Sequence, residues 1–117
     1  MEAQEIIDPV TFNELKDLMG ADFLVELIDT YNTETSGLIE QLRQALTTGD
    51  ATSFGRIAHS IKSSSASLGA LAFSQQAREL EMLGKAIDLS GAGPKVERVA
   101  ADFLQVKRRL EELRDEP

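Results

Sequence analysis

The chain is 117 residues long, contains no cysteine and carries a net charge of −8, from 20 acidic and 12 basic side chains. That length suits a single domain able to bury a core without staples, and the missing thiols exclude disulfides, zinc–thiolate sites and thiol catalysis. The acidic balance argues against nucleic acid or anionic lipid as a partner, since both need a basic face.

No apolar run approaches the roughly 20 residues needed to cross a bilayer. The acidic start, Met-Glu-Ala-Gln-Glu, lacks the basic run of a signal peptide, so a cytoplasmic location is expected. Apolar residues recur at spacings of three and four, and strand-like alternation is missing. The pattern predicts five helices.

The first helix is short. Asp8 can cap it, Pro9 suits its first turn and Gly20 ends it, with Val10, Phe12, Leu15, Leu18 and Met19 as apolar contacts. The second is predicted over 22–46, with a stripe from Phe23 and Leu24 through Tyr31 to Leu46 and a polar stretch at Asn32–Gly37 where it could bend. Thr48-Gly49-Asp50 breaks the chain, and Asp50 or Thr52 can cap the third helix, predicted over 51–68 and ended by Gly69. The fourth is predicted over 71–89, with Leu71, Phe73, Ala77, Leu80, Leu83 and Ile87 inward. Ser90-Gly91-Ala92-Gly93-Pro94 reads as a break, and the fifth helix follows over 95–114, with Leu104 among its inward residues. Four long amphipathic helices joined by short turns imply an up-down-up-down antiparallel four-helix bundle, with the short N-terminal helix across one end. Residues 1–117 are read as one domain, with flexible ends at 1–7 and 115–117, and a monomer is expected of a closed bundle.

The third helix carries the chemistry. Phe54, Ile57, Ala58, Ile61, Ser65 and Leu68 cluster on one side of its wheel, and His59, the only histidine, lies about 140° from the centre of that stripe. One turn away stand Gly55, Lys62 and Ser63, and Ala66 is two turns on; all but Lys62 are small enough to let a partner approach. Between Asp50 and Glu79 there is no acidic residue, whereas Arg56, His59, Lys62 and Arg78 fall in that span. In so acidic a chain this predicts a neutral-to-basic zone around the imidazole, suited to an added dianion. A neutral imidazole offers one unprotonated nitrogen, competent to attack a phosphoryl group in line, with Lys62 neutralising an oxygen and Ser63 donating a hydrogen bond.

Bland readings compete. A lone exposed histidine on a helix is usually a solvated side chain, an exposed lysine usually a solvated charge, and a run of small residues can simply permit close helix packing. No acid on the histidine's own face could orient it, which disfavours a Ser-His-Asp hydrolase. A single histidine also excludes a carboxylate-bridged di-metal bundle, and no glycine-rich loop suggests a kinase. A helical adaptor with His59 incidental is the main alternative.

The string Ala58-His59-Ser60-Ile61-Lys62-Ser63-Ser64-Ser65-Ala66-Ser67-Leu68-Gly69-Ala70 resembles the signature of histidine-containing phosphotransfer (HPt) domains. The shared features are the histidine, an aliphatic residue at +2, the lysine at +3 and Leu68-Gly69 closing the helix. Ala77-Arg78-Glu79-Leu80-Glu81 resembles the family's next helix. The family usually has glycine where this chain has Ser63.

The resemblance implies a phosphocarrier, not an autonomous kinase or hydrolase. His59 would take a phosphoryl group from a receiver-domain aspartate and pass it to another receiver, one of which could belong to a hybrid sensor kinase. Lys62 and Ser63 would assist, and Gly55, Arg56, Lys62, Ser63 and Ala66 would meet the partner, with a further contribution from Phe23–Tyr31. No cofactor or metal is expected on the chain, because Mg²⁺ would sit on the receiver.

Overall fold

Alternating polar and apolar faces at helical spacing leave this chain one way to remove its apolar surface from water, which is to pack helix against helix. The computed structural model describes residues 6–116 and contains, in order, α1 (Pro9–Met19), α2 (Ala21–Thr48), α3 (Ala51–Ser67), α4 (Leu71–Lys85) and α5 (Ala92–Asp115). Helix α2 packs on α3 and α5, α4 packs on the same two, and α1 rests on α2. The ring of neighbours closes around one core in which Ile28, Leu42, Phe54, Ile61, Leu80 and Leu110 are fully buried. Phe103 meets Tyr31 edge-on at 6.1 Å between ring centroids and Phe73 at 5.9 Å.

The caps follow the sequence. Asp8 accepts from the Thr11 amide at 2.9 Å and hydroxyl at 2.6 Å, and Asp50 accepts from the Ser53 amide at 3.1 Å. Helix α3 stops in a paired-bond turn, with the Ala70 amide on the Ser65 carbonyl and the Gly69 amide on that of Ala66. Gly69 holds φ +92°, and an added Cβ would lie 3.0 Å from the Asp8 carbonyl, so this turn requires glycine. The Asp8 amide in turn donates to the Gly69 carbonyl at 2.8 Å, pinning the start of α1 to the α3–α4 turn.

Several expectations need correction. Asn32–Gly37 does not loosen α2: the helix runs through it, and Asn32 and Thr35 are buried because the core meets this face too. Helix α4 ends at Lys85, four residues early, so Ile87 points into solvent; Leu71, at the first turn, is exposed as well. Helix α5 begins at Ala92, with Pro94 inside the first turn, where its missing N–H costs nothing; Leu104 lies outside the core. Val10, Leu18, Met19 and Phe23 are also exposed. Ile7 belongs to the core, so tight packing starts before residue 8, and α5 carries Asp115; residues 1–5 and 117 of the expected flexible ends lie outside the described residues. Among the described residues no helix is long and apolar enough to cross a membrane.

Candidate functional site

His59 sits midway along α3 with its side chain 57% exposed, as the wheel requires. The polar surroundings differ from the acid-free zone expected from sequence. Glu81 enters from α4 and is nearly buried, with its side chain 6% exposed. Its Oε2 lies 2.7 Å from His59 Nδ1, and its Oε1 accepts from Lys62 Nζ at 2.7 Å. Lys85, one turn further along α4, brings its ammonium to 3.6 Å from Oε2. One carboxylate therefore holds the histidine and two lysines.

The position of Glu81 follows from how α3 and α4 meet. Gly55 and Gly84 bring the two backbones together: a Cβ on Gly84 would fall 2.6 Å from the Gly55 Cα. Closer to the α3 C-terminus, Ser74 Oγ donates to the Lys62 carbonyl at 2.9 Å. Glu81 lies between these two anchor points, on the α4 face turned toward His59 and Lys62.

Electrostatics then fix the proton. The Lys62 hydrogen bond, with help from His59 and Lys85, overcomes burial and pulls the Glu81 carboxyl down to about 2. An ionised carboxylate only accepts hydrogen bonds, so His59 Nδ1 must carry a proton to donate to it. In the neutral imidazole the lone pair is then on Nε2, the nitrogen on the other side of the ring from Glu81. Lys62 and Lys85 against Glu81 leave a net charge of +1 around the ring, so the zone stays receptive to an anion despite its acid.

The remaining expected residues divide. Ser63 is exposed one turn from His59, Ala66 is half-buried and Arg56 is exposed. Gly55 is buried against α4, where it acts in helix crossing, and it also lines the floor of the groove beside His59. Phe23 is exposed, but Leu24, Ile28 and Tyr31 belong to the core. Tyr31 does reach α3 from within: its hydroxyl is 2.7 Å from Ser65 Oγ, and burial pushes its pKa up to about 12.

The residue missed from sequence was Glu81. Its only signal was the match of the 77–81 segment to the family's next helix, because no local spacing links residue 81 to residue 59. An open groove of about 650 Å³ runs beside His59, lined by Thr52, Arg56, Glu81, Lys85 and Ile87 among others. Among the described residues no group of three or more His, Asp or Glu side chains could hold a metal ion.

Known proteins bear on this arrangement. The family model described as "Hpt domain" matches residues 26–116. Among solved structures the chain is similar to the crystal structure of histidine-containing phosphotransfer protein B (HptB) from Pseudomonas aeruginosa PAO1. The TM-score is 0.89 and the identity 26%, with 96% of each chain covered. No curated protein sequence matches.

Proposed function

The chain belongs to the Hpt domain family, and from that membership and the geometry at His59 we propose that it is a phosphorelay intermediate. It serves histidine phosphotransfer in two-component signalling. In this reading, His59 Nε2 attacks the phosphorus of an aspartyl phosphate on a receiver domain. The N–P bond forms as the acyl O–P bond breaks and the aspartate leaves as carboxylate. A second receiver aspartate attacks the phosphohistidine, and the imidazole leaves with Nε2 unprotonated again. Glu81 keeps the Nδ1 proton in place through both steps. Lys62 spreads its charge toward the equatorial oxygens, and exposed Ser63 offers a hydroxyl. Mg²⁺ belongs to the receiver.

The observation that carries the reading is the Nδ1–Glu81 bond, because it leaves Nε2, the ring nitrogen turned away from Glu81, as the nucleophilic one. The helices are read as up-down-up-down. Cross-helix partners run in opposite sequence order: Gly55 with Gly84 and His59 with Glu81 for α3 and α4, Arg43 with Glu97 and Asp29 with Arg114 for α2 and α5. A monomer acting in the cytoplasm belongs to the same proposal.

The test is transfer of labelled phosphoryl from phosphorylated receiver domains to the chain, with His59→Gln in parallel. Acid-labile, base-stable label on the wild type and none on the variant is expected. No label from any receiver would leave a helical adaptor.

A further inference from the structure

Helix α4 ends in the same paired-bond turn as α3, with the Ile87 amide on the Gly84 carbonyl and the Asp88 amide on that of Leu83. The left-handed position of this turn, glycine in α3, is here Ile87, at φ +54°. A β-branched residue is among the worst suited to that conformation. Nothing in the core compensates, because Ile87 is 79% exposed. The chain therefore accepts strain in order to hold a large apolar side chain in water, a combination that folding alone disfavours. The place is specific: Ile87 lines the groove that also holds His59, Arg56 and Lys85.

We propose that Ile87 is a docking residue for the phosphoryl-exchanging receiver domain, which covers it with apolar side chains bordering its acidic aspartate site. The inference rests on the phosphorelay reading above. Direct transfer brings the receiver's aspartate against Nε2. A round interface of about 800 Å² per partner reaches roughly 16 Å from its centre. A groove wall shared with His59 is therefore under the receiver. Charge points to the same occupant: in a chain of net charge −8, this groove sets Arg56 and Lys85 against the single acid Glu81, a net positive lining that complements an acidic phosphoryl site. Ile87 supplies an apolar anchor in the same groove, and the strained turn removes backbone freedom it would otherwise lose on binding.

The experiment uses the receiver that exchanges phosphoryl most rapidly with the wild-type chain; if none does, the relay reading itself has failed. Receiver affinity, maximal transfer rate and melting temperature are measured for Ile87→Gly, Ile87→Leu and Leu104→Ala. Leu104, on α5, is exposed but lies in a different groove. Ile87→Gly is expected to bind about tenfold more weakly, to keep its maximal rate at saturating receiver, and to melt higher because the strain is gone. Ile87→Leu should retain most of the affinity. Wild-type affinity in Ile87→Gly, or an equal loss in Leu104→Ala, would overturn the proposal.

Discussion

Replacing Glu81 by glutamine changes two atoms and tests how the imidazole is controlled. The amide retains one acceptor, its oxygen, where the carboxylate had two serving His59 and Lys62 at 2.7 Å each. Two orientations compete. With the amide oxygen on the Lys62 ammonium, the NH₂ faces Nδ1, which must accept, and the ring proton moves to Nε2. With the oxygen on Nδ1–H, the NH₂ is pressed against the ammonium. A hydrogen bond to a charged group is worth about 1.5–3 kcal/mol and a neutral one about 0.5–1.5 kcal/mol, so the first arrangement leads by about 1.4 kcal/mol, or tenfold. About nine molecules in ten then present Nε2–H, which cannot attack, and phosphoryl acceptance should slow about tenfold. Losing the charged acceptor beside Lys62 should also cost about 2 kcal/mol of stability, or roughly 8 °C in melting temperature. Imidazole ¹⁵N shifts above pH 8 report the tautomer, and rapid-quench transfer from a phosphorylated receiver reports the rate. A Gln variant that keeps the Nδ1–H tautomer and the wild-type rate would refute the role given to Glu81.

Other outcomes follow from the same geometry. Lys62→Ala should slow transfer several-fold and leave a folded helical chain by circular dichroism; unchanged kinetics would remove its electrostatic role. Gly84→Ala should lose about 1–3 kcal/mol in urea unfolding despite alanine's better helix propensity, because its Cβ would meet the Gly55 backbone at 2.6 Å; a stabilised variant would mean that the helices do not approach so closely. The Glu81 carboxyl is lowered from 4.5 to about 2 on folding. Its stabilisation is therefore complete above pH 4.5 and is lost as the pH falls through about 2. The stability gap between wild type and Glu81→Gln should thus shrink across that window, and a gap independent of pH would contradict the ionised pairing. The sole tyrosine, Tyr31, is raised from 10.0 to about 12 by burial, so its contribution holds below pH 10 and fades toward pH 12; ultraviolet titration showing an ordinary phenol in the folded chain would place it in solvent.

Much of this molecule could be read from the residues because its information is local. Asp8 and Asp50 cap the helices predicted from them, and His59 is exposed where a 100° wheel puts it. The errors arise where a second helix decides. Asn32 and Thr35 looked like a polar interruption, yet α2 packs on both α3 and α5 and so buries more of its circumference than one stripe. Gly55 looked like an open approach to His59, and only the opposing Gly84 shows it to be a crossing point. At Ile87 the apolar spacing continued while the backbone did not, and no local signal marks an isoleucine taking a position that usually falls to glycine.

In the proposed relay, an acid at the centre of the phosphoryl-accepting zone looks like a contradiction, since a carboxylate repels a dianion. The geometry removes the conflict. Glu81 is beside Nδ1, across the ring from the nitrogen that would react, and each of its oxygens has a lysine within 3.6 Å or less. Without it the two ammonium groups would face each other unpaired, and the ring would divide between tautomers and rotamers. With it, the local charge remains +1, the attacking lone pair is fixed, and Lys85, at the longer distance, is the cation freer to turn from Glu81 toward an arriving phosphoryl group. The carboxylate thus gives up some attraction for orientation. In a transfer that depends mainly on in-line alignment, misplacement by 1 Å costs about 10²-fold, more than the roughly 1 kcal/mol that one additional solvent-facing charge supplies.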